Sequence, residues 1–295
     1  MKQPLRTMAL LLPLLALAAA PPPRSPAPAE IVAAAPDAAW AAVPAEDLLV
    51  IDFDTQQRVV IALAPVFAPV HVANIRRLAR AGWFDGITVN RVQDNYVTQW
   101  GDATERKVLP PAVVASPPAE YARPAAGLDV RAMPYRDAYA PRVGHAGGWA
   151  VAEEGRTAWL PHCYGMVGAG RNLAPDTGTG AELYAVIGHG PRHLDRNIAV
   201  VGRVLSGMEA LSALPRGTEA LGFYKAGAAR PAIVSARLAA DMPAADRPAF
   251  EIMRGDAPSF AAWLHARANR LDDFYIRPAA ALDLCNALPP VRAAK

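Results

Sequence analysis

Cysteine, net charge and long apolar runs are all scarce in this chain of 295 residues. The N-terminal apolar run covers only residues 8–20, which is short for a membrane span. No cysteine follows that run, and this excludes a lipid-attachment site of the bacterial type. Two of the 30 Lys and Arg lie in residues 1–20, so the rest of the chain has 28 basic residues against 27 Asp and Glu. This balance gives no reason to expect binding to nucleic acid or to an anionic surface.

The first twenty residues are typical of a secretory signal peptide. Lys2 and Arg6 precede the apolar run, and three alanines at 18–20 offer small residues for cleavage. An uncleaved N-terminal anchor is the alternative. A signal peptide predicts export to a periplasm-like compartment, with no membrane insertion after cleavage. In such a compartment Cys163 and Cys285 are expected to form a disulfide, and two buried free thiols are the alternative.

The remaining chain divides into three parts by composition. Residues 21–45 are rich in proline and alanine and predict an extended linker in which Trp40 is the one large anchor. Residues 46–240 show short strand patterns, a helix that begins at Pro69, and a second short helix near residue 208. This pattern predicts a mostly β fold, a closed antiparallel barrel capped by two helices.

Two segments depart from the barrel pattern. Residues 103–147 have no sustained hydrophobic period and predict an insertion into the domain. Residues 241–295 predict a C-terminal helical extension, because Pro258 suits a helix start and an apolar stripe runs from Phe260 to Leu271. The aromatic content of this tail favours packing on the domain.

Arg91 and Gln99 are predicted to lie on two short neighbouring strands. Rotation about an X–Pro bond needs no nucleophile, metal or cofactor. It needs relief of an amide barrier of roughly 18–20 kcal/mol, which a well-placed guanidinium in an apolar groove can provide.

The order of the motifs is similar to that of the cyclophilin-type peptidyl-prolyl isomerases. The matching segments are the helix after Pro69, the FDG turn at 84–86, the strands NRV at 90–92 and QWGD at 99–102, GMVGAG at 165–170, GAELYAV at 180–186, and residues 193–208. They follow the family's order across about residues 46–240, and order together with spacing makes the resemblance specific. The segment 103–147 and the tail lie outside it.

The resemblance implies a cyclophilin barrel and a prolyl isomerase that uses no cofactor and no metal. Arg91 falls on the catalytic arginine, whose guanidinium would stabilise the twisted prolyl amide as its nitrogen gains a lone pair. Gln99 falls on the glutamine that holds the substrate carbonyl region. The expected substrate-binding residues are Tyr96, Val97, Tyr184 and Leu194 in the pocket floor, Gly168, Ala169 and Glu182 at the rim, and His193 at the mouth.

The resemblance also implies the partners. These are unfolded or partly folded polypeptides that contain proline, bound by a monomer. The charge of Glu182 favours basic residues near the proline. The departures at Val97, His193 and Asn197 motivate an alternative, a cyclophilin-fold chaperone or peptide-binding module of low activity.

Three other site types are disfavoured by local sequence. His189 and His193 are four residues apart, but Gly190 and Pro191 between them prevent the helical turn that a metal pair would need. His162 and Cys163 are adjacent, so on a strand they would face opposite sides rather than form a nucleophile pair. The glycines of 165–170 do not have the spacing of a phosphate-binding loop.

Overall fold

The computed structural model describes residues 25–104, 106–272 and 274–294. The predicted signal peptide and the first four residues of the predicted linker lie outside this range. The α-helices are α1 (Pro28–Ala34), α2 (Pro69–Arg80), α3 (Met208–Ser212) and α4 (Pro258–Ala268). The strands are β1 (Trp40–Ala42), β2 (Leu48–Phe53), β3 (Arg58–Leu63), β4 (Thr88–Val92), β5 (Val97–Gly101), β6 (Arg123–Pro124), β7 (Arg131–Ala132), β8 (Arg142–Ala146), β9 (Trp149–Glu154), β10 (Thr157–Trp159), β11 (Met166–Ala169), β12 (Leu183–Val186), β13 (Val200–Ser206), β14 (Ile233–Leu238), β15 (Phe250–Met253) and β16 (Val291–Ala293).

Eight antiparallel strands form the main sheet, in the order β14-β2-β3-β13-β11-β12-β5-β4. The two edge strands meet, because Thr88 of β4 pairs with Ala232 just before β14. The N–H of Ile233 also donates to the oxygen of Ile87 at 2.7 Å. These bonds close the sheet into a barrel, and they confirm the fold class predicted from the sequence.

The barrel interior is filled by aliphatic side chains that alternate along each strand. Helix α2 covers this core with Val72, Ile75 and Leu78, each fully buried. Its first residue is Pro69, and it ends shortly before Gly82, whose φ of 61° lies in the left-handed region that favours glycine. Helix α3 adds Leu211 to the same core. The two predicted capping helices are therefore present.

A second sheet of five short strands lies within and just after the predicted insertion, in the order β6-β10-β9-β8-β7. These strands are two to six residues long, too short for a sustained hydrophobic period to show in the sequence. The structured excursion also runs past residue 147, because β9 and β10 continue the same sheet to Trp159. Trp159 shares a hydrophobic core with Ala268, Leu284 and Ala287 of the C-terminal extension.

The two chain ends fold together. Strand β1 pairs with β15, and β15 pairs with β16, in a three-stranded antiparallel sheet. Trp40 is buried against Phe260 and Trp263 of α4, in a core cluster that Ile31 of α1 also contacts. The predicted linker must therefore be corrected from residue 28 onward, because its apolar residues bury themselves on the tail. The tail is likewise only partly helical, since β15 and β16 flank α4.

Cys163 and Cys285 form a disulfide with an S–S distance of 2.06 Å. It joins the barrel to the C-terminal extension across 122 residues of sequence. In the described part of the chain, none of the helices is both long and apolar enough to cross a membrane.

Candidate active site

A row of paired residues across four strands builds the site. Arg91 of β4 is opposite Gln99 of β5, Gln99 is opposite Tyr184 of β12, and Tyr184 is opposite Gly168 of β11. Directly paired residues on neighbouring strands share a face of the sheet. Residues that are far apart in sequence are thereby placed side by side, as the motif order predicts.

A β-bulge at Asn90 turns Arg91 toward this face. Val89 is paired with Trp100 and both are fully buried in the barrel core, whereas Arg91 is paired with Gln99. Without the extra residue, Val89 and Arg91 would point to the same side of the strand. The bulge therefore keeps the valine in the core and delivers the guanidinium to the outer face.

Protein groups hold the Arg91 guanidinium in one orientation. Its Nε donates to the carbonyl oxygen of Leu221 at 2.7 Å, Nη1 donates to Oε1 of Gln99 at 3.1 Å, and Nη2 donates to Oε1 of Gln93. The guanidinium carbon lies 5.4 Å from the Tyr96 ring centroid and 5.5 Å from that of Phe223. Arginine has five N–H groups, so two remain for a ligand.

The electrostatics of Arg91 follow from its half-buried position. Burial lowers the pKa of Arg91 from its ordinary value, while the nearby tyrosines and Glu182 oppose that shift. The side chain stays charged at any physiological pH, because arginine is not deprotonated in proteins. A desolvated cation interacts more strongly with a developing lone pair than a hydrated one does.

Gln99 is fixed by its two neighbours. Its Oε1 accepts from Arg91, and its Nε2 donates to Oε1 of Glu182. Glu182 lies across the backbones of Gly101 and Gly170, since a Cβ at either position would come within 2.8 Å of the Glu182 Cγ. The glutamate therefore has a defined place beside the row.

The apolar wall next to Arg91 consists of Tyr96, Val97 and Tyr184. Two further residues belong to it that the motifs did not predict, Val186 and Ile198. Val97 and Tyr184 are buried with Val186, and Tyr96 and Ile198 pack against them. Burial raises the pKa of Tyr96, and it raises the pKa of Tyr184 well above its ordinary value. Both phenols are therefore neutral at physiological pH.

Three predicted residues differ in part from their expected surroundings. Ala169 lies in the barrel core, and its N–H donates to the oxygen of Ala199 at 3.0 Å, so this amide is not open to a peptide. Leu194 is half-buried in the 3-10 helix Gly190–Leu194 and is not among the residues packed around Tyr184. His193 is exposed and stacks on Tyr96, with Nε2 3.2 Å from the Tyr96 hydroxyl.

A cavity of about 620 Å³ opens beside the Arg91 and Gln99 end of the row, and Tyr96, Val97 and Tyr184 are not part of its lining. The predicted insertion contributes only its first part to the wall, and its β-strands lie elsewhere. The insertion therefore does not fill this cavity. Its lining includes Asn90, Arg91, Gln99, Lys107, Leu109, Arg171, Glu182, Leu221, Phe223 and Arg230.

Comparison with known proteins decides the family. The model of the family "Cyclophilin type peptidyl-prolyl cis-trans isomerase/CLD" matches residues 49–231, well over half of the chain. The chain belongs to the cyclophilin family. This cyclophilin is 28% identical over 162 residues to a probable peptidyl-prolyl cis-trans isomerase of Brucella suis, covering 55% of this chain and 68% of the relative. A relative of the same name from Brucella abortus is 27% identical over 162 residues, with the same coverage of both chains.

The fold agrees with this assignment. A crystal structure of a cyclophilin from Hirschia baltica superposes with a TM-score of 0.67 at 23% identity, covering 86% of this chain and 93% of that one. The resemblance read from the sequence is therefore confirmed, and the protein is a peptidyl-prolyl cis-trans isomerase of the cyclophilin type.

Five residues of this cyclophilin site were missed by sequence reasoning. Gln93 and the segment carrying Leu221 and Phe223 surround Arg91, and Val186 and Ile198 complete the apolar wall. Gln93 lies two residues beyond Arg91 and could have been suspected from strand alternation. Leu221 could not, because its contact is a backbone carbonyl brought to the site by a loop 130 residues later.

Proposed function

We propose that this cyclophilin accelerates X–Pro rotation in exported proteins during folding, in a periplasm-like compartment. The export part rests on the predicted signal peptide and is supported by the Cys163–Cys285 disulfide, since disulfides persist in oxidising compartments. Prolyl isomerisation is slow enough to limit folding, and its catalysis needs no energy source. The protein acts as a monomer on flexible, proline-containing chains.

In the proposed mechanism Arg91 binds the twisted amide more tightly than either planar state. Rotation removes conjugation, and the prolyl nitrogen gains a lone pair that can accept a hydrogen bond. One of the two N–H groups left on Arg91 would donate to it, and the difference between twisted and planar states lowers the barrier. Gln99 would hold the substrate carbonyl region, while Tyr96, Val97 and Tyr184 receive the proline ring.

The observation that best supports this mechanism is the orientation of Arg91. Its bonds to Leu221, Gln99 and Gln93 fix the guanidinium beside an open cavity before any peptide arrives. A donor that is already oriented costs little reorganisation in the transition state. A charge-assisted hydrogen bond contributes about 1.5–3 kcal/mol, which corresponds to a rate factor of roughly 10–150.

A protease-free isomerisation assay on a proline tetrapeptide tests this proposal. Arg91→Ala should lower kcat/KM by roughly 10–150-fold, mainly through kcat. Arg91→Lys should recover little, because a single ammonium nitrogen cannot occupy both the Nε position that binds the Leu221 carbonyl and the Nη position that would donate to the prolyl nitrogen. Arg58→Ala is the matched control, since Arg58 is an exposed arginine paired with Asp52 on the barrel hairpin. Equal rates for the wild type and Arg91→Ala would favour the low-activity binding module instead.

A further inference from the structure

Tyr184 is the only member of the proline pocket whose polar atom lies in a buried chain of side-chain hydrogen bonds among the described residues. Its hydroxyl is 2.9 Å from Nε2 of His162, and Nδ1 of His162 is 3.1 Å from Oδ1 of Asp195. The three residues are 3%, 1% and 9% exposed. The phenol and imidazole rings are nearly parallel, at 13° with centroids 6.2 Å apart.

The direction of these bonds follows from the acceptor at one end. Asp195 Oδ1 also accepts from the backbone N–H of His162 at 2.8 Å. The pKa of Asp195 is raised by burial, but the bonds from His162 and the charge of Arg192 outweigh that effect and lower it overall. A carboxylate accepts, so Nδ1 of His162 carries the proton. In the neutral imidazole Nε2 then presents a lone pair, and the Tyr184 hydroxyl donates to it.

The chain continues into the part of the molecule that lies outside the family resemblance. Arg192 donates from Nε to Asp195 at 2.9 Å and binds both carboxylate oxygens of Asp137 at 2.8 and 3.0 Å. Asp137 belongs to the predicted insertion. His162 is also adjacent to Cys163, which is bonded to the C-terminal extension. Both added segments therefore support the residue that holds Tyr184.

We infer that His162 is a positioning residue of this isomerase, and that it fixes the Tyr184 ring as a wall of the proline pocket through the hydroxyl–imidazole bond. The inference rests on the proposed function, in which Tyr184 contacts the proline ring. That ring is bound in the planar and the twisted states alike, so a displaced wall weakens both equally. Such uniform loss raises KM and leaves kcat nearly unchanged.

Two isosteric variants separate the two bonds of His162. The amide of glutamine reaches the place of Nε2, so His162→Gln keeps a partner for Tyr184 and loses only the side-chain bond to Asp195. The amide of asparagine reaches the place of Nδ1, so His162→Asn keeps Asp195 and loses Tyr184. We expect His162→Asn to raise KM about three- to tenfold with kcat within about twofold, and His162→Gln to stay close to the wild type.

Tyr184→Phe is a second test of the positioning role of His162. It removes only the hydroxyl, so it should raise KM as His162→Asn does. Adding His162→Asn to Tyr184→Phe should then change KM no further, because the bond is already absent. Tyr184→Phe also carries the test by itself if His162→Asn fails to fold, which circular dichroism would show.

Several results would overturn the positioning role. These are an unchanged KM for Tyr184→Phe, equal KM values for the Asn and Gln variants, or a full additional effect of His162→Asn in the Tyr184→Phe background. A fall in kcat at constant KM would indicate a smaller folded fraction and would also overturn it. Failure of the proposed function is distinguishable, because it would show as an inactive wild type or as an Arg91→Ala variant of wild-type rate.

Discussion

Arg192 is among the best-buried charged side chains in the described part of this cyclophilin, and replacing it should show how much the stability of the added segments depends on one residue. It is 1% exposed and stands between two carboxylates, Asp137 and Asp195, whose side chains are 1% and 6% exposed. Its guanidinium also lies 4.6 Å from the ring centroid of Tyr139. We choose Arg192→Met, which keeps the volume and removes the charge.

The magnitude follows from what is left behind. Two carboxylates would remain buried within reach of each other without a cation, and breaking a buried ion pair costs about 3–5 kcal/mol. For a domain of this size each kcal/mol lowers Tm by about 2–4 °C, so the expected decrease is roughly 6–20 °C. Asp137→Asn in the same chain should recover part of the loss, because it removes one of the two unpaired charges.

Denaturant unfolding followed by tryptophan fluorescence is a suitable assay. Trp159 reports on this region, because its Nε1 lies 3.4 Å from Oδ2 of Asp195. Arg131→Ala is the control: this arginine of the same excursion pairs with Asp129, and both side chains are more than half exposed. Exposed pairs contribute about 0–1 kcal/mol. A loss of less than about 1 kcal/mol for Arg192→Met would refute the reasoning that the network is a buried, paired unit.

Three further outcomes are expected. Cys163→Ser with Cys285→Ser should lower the free energy of unfolding by roughly 4–5 kcal/mol, since the bond closes a loop across 122 residues, and urea titration of the variant against the wild type measures it. Glu120→Ala should cost about 2–3 kcal/mol in the same titration, because this carboxylate caps helix α2 and contacts Nδ1 of His71 at 2.7 Å. Burial acts to raise the pKa of Asp102, but backbone N–H groups lower it to about 2, below its ordinary 3.8. Its stabilisation should therefore be complete above about pH 4 and lost as the pH falls toward 2, and Asp102→Asn should flatten that part of the stability profile.

The barrel was predictable because its signals are local and repeated. Alternation along short strands, Pro69 at a helix start and Gly82 after its end each follow from backbone chemistry. The motif order then placed Arg91 beside Gln99 and Tyr184, and the strand register brings these three together. The orientation of Arg91 needed the bulge at Asn90, which a pairing pattern read from one strand does not reveal.

The added segments were less predictable for a physical reason. Strands such as β6 and β7 are two residues long, and they are stabilised by their partners rather than by their own composition. The segment at 28–45 is mostly alanine and proline, which bury little apolar area per residue. It folds because Trp40 finds Phe260 and Trp263 more than 200 residues later, a pairing that no local window contains.

The same reasoning explains why Tyr184 and Gly168 belong together. The hydroxyl oxygen of Tyr184 needs space as well as a hydrogen-bond partner. A Cβ at residue 168 would lie 2.2 Å from that oxygen, so only glycine leaves the space. His162, which lies between β10 and β11, supplies the hydrogen-bond partner. Gly168→Ala should therefore displace the Tyr184 ring and break its bond to His162, so one methyl group at a rim residue should weaken peptide binding as much as the loss of the imidazole itself.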